Sequence, residues 1–87
     1  MPWEWELSPT AEQVLAQLDL GLKGAFNQRM GELMRDPTPS NPLVVSMSRT
    51  GYPTDTLGYH AYPFWITFRL VGDIVQVGTL VHNPRDF

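Results

Sequence analysis

Residues 64–82 read FWITFRLVGDIVQVGTLVH, with an apolar-rich run on either side of Gly72-Asp73. A two-residue loop with glycine in first place favours a tight hairpin turn, because glycine tolerates the positive φ that such a turn needs. The sequence therefore predicts two antiparallel strands that meet at Gly72-Asp73.

The register of this hairpin follows by counting outward from the turn, since side chains alternate between the two faces of a sheet. One face then receives mostly apolar pairs, which we expect to form the core: Leu70 with Val75, Phe68 with Val77, Ile66 with Thr79, and Phe64 with Val81. The opposite face, called the outer face below, receives Trp65 beside Leu80, Thr67 beside Gly78, Arg69 beside Gln76, and Pro63 beside His82. We expect the outer face to be available for recognition.

The remaining elements follow from local patterns. WEWEL at residues 3–7 alternates apolar and acidic residues, as a half-buried strand does. Ser8-Pro9 is typical of a helix start, with Ser8 as the cap and Pro9 in the first turn. We expect this first helix to end near Gly21. A second helix should run from about Leu22 to Arg35, where Asp36-Pro37 stops it. Residues 43–47 and 57–62 predict further strands.

These elements predict an α+β fold: an N-terminal strand, a helical hairpin, then three or four antiparallel strands, all in one twisted sheet. Gly24 and Gly31 lie seven residues apart on one face of the second helix. Because interior glycine weakens a helix, we expect either that they let the first helix approach closely or that this helix is frayed.

Composition limits the possible functions. The chain has 87 residues, a net charge of −3 and no cysteine, so we expect one domain over 1–87, without disulfides or a cysteine-ligated metal. We also expect no cofactor, because a glycine-rich phosphate loop is missing. The acidic balance disfavours a general nucleic-acid binder. No apolar run is long enough for a membrane span, and the expected location is the cytoplasm.

Three segments resemble the RelE/ParE superfamily of bacterial toxins from toxin–antitoxin pairs: WEWELSPTAEQVLAQLD at 3–19, GELMRDPTP at 31–39, and FWITFRLVGDIVQVGTLVHNPRDF at 64–87. They are similar to that family's first strand and helix, the end of its second helix, and its terminal strand pair. The resemblance implies inhibition of translation by ribosome-dependent mRNA cleavage, or poisoning of gyrase. It also implies an antitoxin partner.

The resemblance implies metal-independent RNase chemistry for the nuclease branch, but this sequence departs from that pattern. Trp65 stands where the family usually has arginine, and Phe87 stands near the place of a functional tyrosine. Asn83 or Pro84 replaces a further basic residue, while Arg85 remains. Whether the chain is an enzyme is therefore left open.

The candidate site lies on the outer face. Its candidate catalytic residues are His82, Arg85 and Arg69, and its candidate binding residues are Trp65, Gln76, Arg49 and Leu80. Such a surface could hold an RNA phosphate and stack a base. The simpler alternatives are a solvated His82 and an ordinary cross-strand pair between Arg69 and Gln76.

Two functions remain at this point. The first is a toxin that acts on mRNA or gyrase and is neutralised by an antitoxin. The second is a non-catalytic module on the same fold, which binds a protein or forms a homodimer through the outer face. Trp65 beside Leu80 fits either function, because two large apolar side chains on an outer face need a cover, and that cover could be an antitoxin segment, a second copy of the chain or a C-terminal stretch that folds back.

Overall fold

The computed structural model describes residues 3–47, 51 and 55–82. Within them the chain forms β1 (Glu4–Leu7), α1 (Pro9–Ala16), α2 (Leu20–Leu33), β2 (Val44–Ser46), β3 (Leu57–Ala61), β4 (Phe64–Val71) and β5 (Ile74–His82). The strands form one sheet in the order β1-β5-β4-β3-β2. β1 runs parallel to β5, and the other neighbouring strands are antiparallel. The expected α+β architecture is confirmed.

Capping residues set where the two helices begin. Ser8 caps α1 as expected, since its Oγ accepts a hydrogen bond from the Ala11 N–H at 3.1 Å. The expected end of α1 near Gly21 is wrong, because Asp19 caps the second helix through the Leu22 N–H at 2.8 Å. The boundary between the two helices therefore lies earlier in the chain than predicted, since α1 ends at Ala16 and α2 begins at Leu20.

The core lies between the helices and one face of the sheet. Phe26 contacts aromatic rings from two strands edge-on, with centroids 5.7 Å from Trp5 and 5.8 Å from Phe64. The most buried side chains of this core are Ala11, Phe26, Met30, Leu33, Tyr59, Phe64, Ile66, Phe68, Val75 and Val77. Neither helix is long and apolar enough to cross a membrane, as far as the described residues extend.

The two glycines of α2 do not serve helix packing. A Cβ added at Gly24 or Gly31 would meet no other atom within 4 Å. The expectation that they let α1 approach closely is therefore wrong. Both positions face open space in a helix of 14 residues.

A β-bulge in the hairpin changes the expected register. Near the turn the pairs lie as predicted, including Arg69 with Gln76 and Phe68 with Val77. The register then shifts, so that Thr67 pairs with Thr79 and Gly78 is left between two pairs. One extra residue on one strand exchanges the faces of all residues beyond it.

The bulge overturns two placements on the outer face. Leu80 pairs with Ile66 and is only 3% exposed, in the core and away from Trp65. His82 pairs with Phe64, and their ring centroids lie 5.7 Å apart, so it also belongs to the core face. Val81 moves the other way and pairs with Trp65 on the outer face, where it is 44% exposed.

Candidate binding cleft

A cleft of about 640 Å³ opens on the outer face, between the start of α1 and the strands β1, β5 and β4. Its polar lining comprises Glu6, Ser8, Thr56, Thr67, Arg69, Gln76 and Thr79. A concave site with convergent polar groups is the usual form of a ligand-binding site. The cleft is therefore the candidate functional site of the described chain.

Three side chains cross one wall of the cleft in a chain of hydrogen bonds. Arg69 Nε donates to Gln76 Oε1 at 3.0 Å, and Gln76 Nε2 donates to Glu6 Oε1 at 2.8 Å. Glu6 reaches this wall because β1 pairs in parallel with β5, with Glu6 beside Gln76. The Arg69 guanidinium and the Glu6 carboxylate therefore lie on opposite sides of the Gln76 amide.

Two threonines form the second polar feature. Thr67 and Thr79 face each other across β4 and β5, and their hydroxyls are joined by a hydrogen bond. Thr67 is only 2% exposed, so this bond satisfies a polar group that is almost completely buried. The pairing depends on the bulge, because the uninterrupted register would place Thr79 on the core face.

The bulge itself lies within the cleft. Gly78 lines it, and its carbonyl accepts a hydrogen bond from Ser8 Oγ at 2.7 Å. The Ser8 N–H donates to the carbonyl of Val77 at 2.9 Å. Ser8 therefore forms hydrogen bonds both to the start of α1 and to the bulged strand β5.

Trp65 lies beyond the cleft on the same face and is partly covered by the chain itself. Its ring stands edge-on to His60, with centroids 4.8 Å apart. A Cβ placed on Gly58 would come within 2.9 Å of Met47 Sδ and 3.1 Å of Trp65 Cζ2. The side chains of Met47 and Trp65 therefore fill the space above Gly58.

The structure brings together only part of the predicted site. Arg69 and Gln76 line the cleft, and Trp65 lies on the same face outside it. Leu80 and His82 are separated from them by the sheet, as described above. Arg49 and Arg85 lie outside the described residues. The roles of all seven remain predictions.

Sequence reasoning missed the remaining polar lining of the cleft, chiefly Glu6 and the Thr67–Thr79 pair. Alternation in WEWEL places Glu6 opposite Trp5 and Leu7, and this signal was available. The alternation alone indicates only a solvated strand face for Glu6. Nothing in the sequence identifies β5 as the neighbour of β1, so the contact between Glu6 and Gln76 could not be predicted. The threonine pair additionally required the bulge.

Two groups with shifted pKa values lie outside the cleft lining. Hydrogen bonds from Ser40 and Thr38 lower the pKa of Asp36, in the loop after α2. Burial raises the pKa of the Tyr59 phenol, and Glu32 raises it further. Among the described residues, no group of three or more His, Asp or Glu side chains is placed to hold a metal ion.

Three solved structures that share this architecture are toxin–antitoxin complexes. A chain of the RelBE2 toxin–antitoxin complex from Mycobacterium tuberculosis superposes with a TM-score of 0.76, at 16% identity, over 95% of this chain and 100% of that one. The chain has the RelE fold. A chain of the archaeal RelE–RelB complex from Pyrococcus horikoshii gives 0.70, at 12% identity, over 98% and 99%.

A third RelE-fold structure, the RelB–RelE complex from Methanococcus jannaschii, gives a TM-score of 0.60 at 13% identity, over 87% of each chain. Neither the protein-family models nor the curated proteins match the sequence. At such low identity the shared feature is the fold: the RelE architecture, with both helices and all five strands of this chain.

Proposed function

We propose that this chain is the toxin-like component of a bacterial toxin–antitoxin pair and is neutralised by an antitoxin protein. The observation that carries this proposal is the RelE fold, matched over 95% and 98% of the chain by chains from toxin–antitoxin complexes. Its candidate targets are translating mRNA and gyrase. Both lie in the cytoplasm, where we place the chain.

A second candidate is a non-catalytic protein-binding or dimerisation module on the same fold. The bulge favours it, because His82 lies on the core face, away from Arg69. The Nε of Arg69 is also already committed to Gln76, which in turn contacts Glu6. The Glu6 carboxylate, separated from the guanidinium by the Gln76 amide, weakens the attraction of this face for an RNA phosphate.

The test is induced expression of the chain, alone and together with the small open reading frame next to its gene. The toxin proposal expects growth arrest and its relief by the neighbouring gene product. Folded, soluble chain that leaves growth unchanged, with no neighbouring gene able to bind it, would refute that proposal. Harmless expression combined with tight binding of the neighbour would favour the second candidate.

The target is then assigned with purified components. Cleavage of mRNA on ribosomes by the chain supports the nuclease branch. Loss of the DNA supercoiling activity of gyrase in the presence of the chain supports the gyrase branch. Arg69→Ala is the informative variant, because its side chain is exposed and its loss leaves the core intact. If Arg69 contacts the phosphate, this variant loses cleavage while remaining folded.

A further inference from the structure

We propose that the cleft beside Gly78 binds an extended segment of a partner protein that carries one basic and one acidic side chain. This inference rests on the proposal that the chain acts with a protein partner, and it names where and how that partner is recognised. The basic side chain pairs with Glu6 and the acidic side chain pairs with Arg69.

The first argument is the identity of residue 78. Gly78 has no positive φ that would require glycine. An added Cβ would have ordinary contacts, 3.9 Å from the Thr67 carbonyl oxygen and 4.0 Å from its hydroxyl. Neither the backbone nor the packing of this chain therefore requires glycine, although glycine weakens a strand. A bare backbone at the floor of a cleft suits a ligand that approaches closely.

The second argument is charge. The outer-face positions of the described strands carry the charged residues Glu4, Glu6 and Arg69. A nucleic acid presents only negative phosphates and would meet two carboxylates for one guanidinium. A segment with both charges can satisfy Glu6 and Arg69 together, since these sit on opposite sides of Gln76.

The third argument is the surface that continues from the cleft. Val81 and Val45 lie farther along the outer face, and they are 44% and 42% exposed. Trp65 stands between them in the sheet order, paired with Val81 on one side. A small molecule in the cleft would leave this apolar strip uncovered. A protein segment can cover both the cleft and the apolar strip. Its binding would then combine burial of apolar surface with polar contacts in the cleft.

The test is an NMR titration of the full chain, labelled with ¹⁵N. The probe is a capped six-residue peptide with one arginine and one aspartate in an alanine background. The comparison probes carry glutamine for arginine or asparagine for aspartate, and two further probes are oligouridine and an equimolar mixture of free arginine and aspartate. We expect saturable shifts of the Thr67, Gly78 and Thr79 amides with the doubly charged peptide.

Two variants make the test specific. Gly78→Ala places a methyl group on the cleft floor and should weaken peptide binding by about fivefold or more, because the methyl group occupies space that the bound segment would fill. Glu6→Gln should abolish the preference for the arginine-containing peptide over its glutamine version. Both variants keep the core residues, and their amide spectra report whether the fold is retained.

The proposal is overturned if the doubly charged peptide leaves these amides unshifted, or if oligouridine or the free amino acids shift them as strongly. It is also overturned if Gly78→Ala remains folded and binds the peptide as well as the natural chain does. These outcomes are independent of toxicity. Growth arrest without peptide binding would leave the proposed function intact and remove only this inference.

Discussion

Ser8 and Gly78 are joined by a hydrogen bond of 2.7 Å from the serine hydroxyl to the glycine carbonyl. The same hydroxyl accepts from the Ala11 N–H and so caps α1. We expect Ser8→Ala to lower the free energy of unfolding by about 1 to 3 kcal/mol, because it removes both a cap and a cross-link to the bulge. Urea unfolding followed by circular dichroism measures this change.

The control is Asp19→Ala, which removes the cap of α2 and no bond to the sheet, since Asp19 Oδ1 contacts the Leu22 N–H. Its expected cost is the capping contribution alone, typically about 1 kcal/mol. Equal losses for the two variants would mean that the bond between Ser8 and Gly78 contributes nothing to stability.

Gly24→Ala and Gly31→Ala should each raise the free energy of unfolding, by about 0.5 to 1 kcal/mol. Both positions lie inside α2, and an added Cβ meets open space there. Gly58→Ala is the contrasting variant and should destabilise the chain, because its Cβ would come within 2.9 Å of Met47 Sδ and 3.1 Å of Cζ2 in the rigid Trp65 ring. Thermal and urea unfolding of the three variants would reveal the opposite signs, and destabilisation by alanine at 24 or 31 would contradict this assignment.

Low pH should reduce the stability that Asp36, in the loop after α2, contributes to the folded chain. Because the pKa of Asp36 is lowered in the folded chain, its carboxylate contributes stability above its ordinary pKa near 3.8. That contribution is lost as the pH falls through the lowered pKa. The stability difference between the natural chain and Asp36→Asn should therefore be constant near neutral pH and shrink below about pH 4.

Ser40→Ala provides the control for this pH dependence, because the Ser40 hydroxyl donates to Asp36 Oδ2 at 2.6 Å and is the largest cause of the shift. Direct NMR titration of the Asp36 carboxyl should find its pKa moved back toward the ordinary value in this variant. An unchanged titration would assign the shift to another cause.

Local signals in the sequence were sufficient for most of the fold. Ser8-Pro9 fixed the start of α1, and Gly72-Asp73 fixed the turn and the hairpin register as far as Phe68 with Val77. The predicted boundary between the helices is wrong, because Asp19 caps α2 and the second helix begins before Gly21.

The candidate site was harder to predict, because it depends on two non-local features. The bulge at Gly78 has a weak sequence signal, since an isolated glycine in a strand also has other causes. It nevertheless moves Leu80 and His82 to the core face. The parallel pairing of β1 with β5 brings Glu6 to Gln76 across 70 positions of sequence, and no local pattern specifies it.

The bulge determines which side chains of β5 form the outer face, and one pair of variants tests it directly. Leu80 is 3% exposed and Val81 is 44% exposed. We expect Leu80→Ala to lower the free energy of unfolding by about 2 to 5 kcal/mol, through the cavity that it leaves. Val81→Ala should change it by less than about 1 kcal/mol. A larger loss for Val81→Ala than for Leu80→Ala in urea unfolding would contradict the bulged register and the cleft built on it.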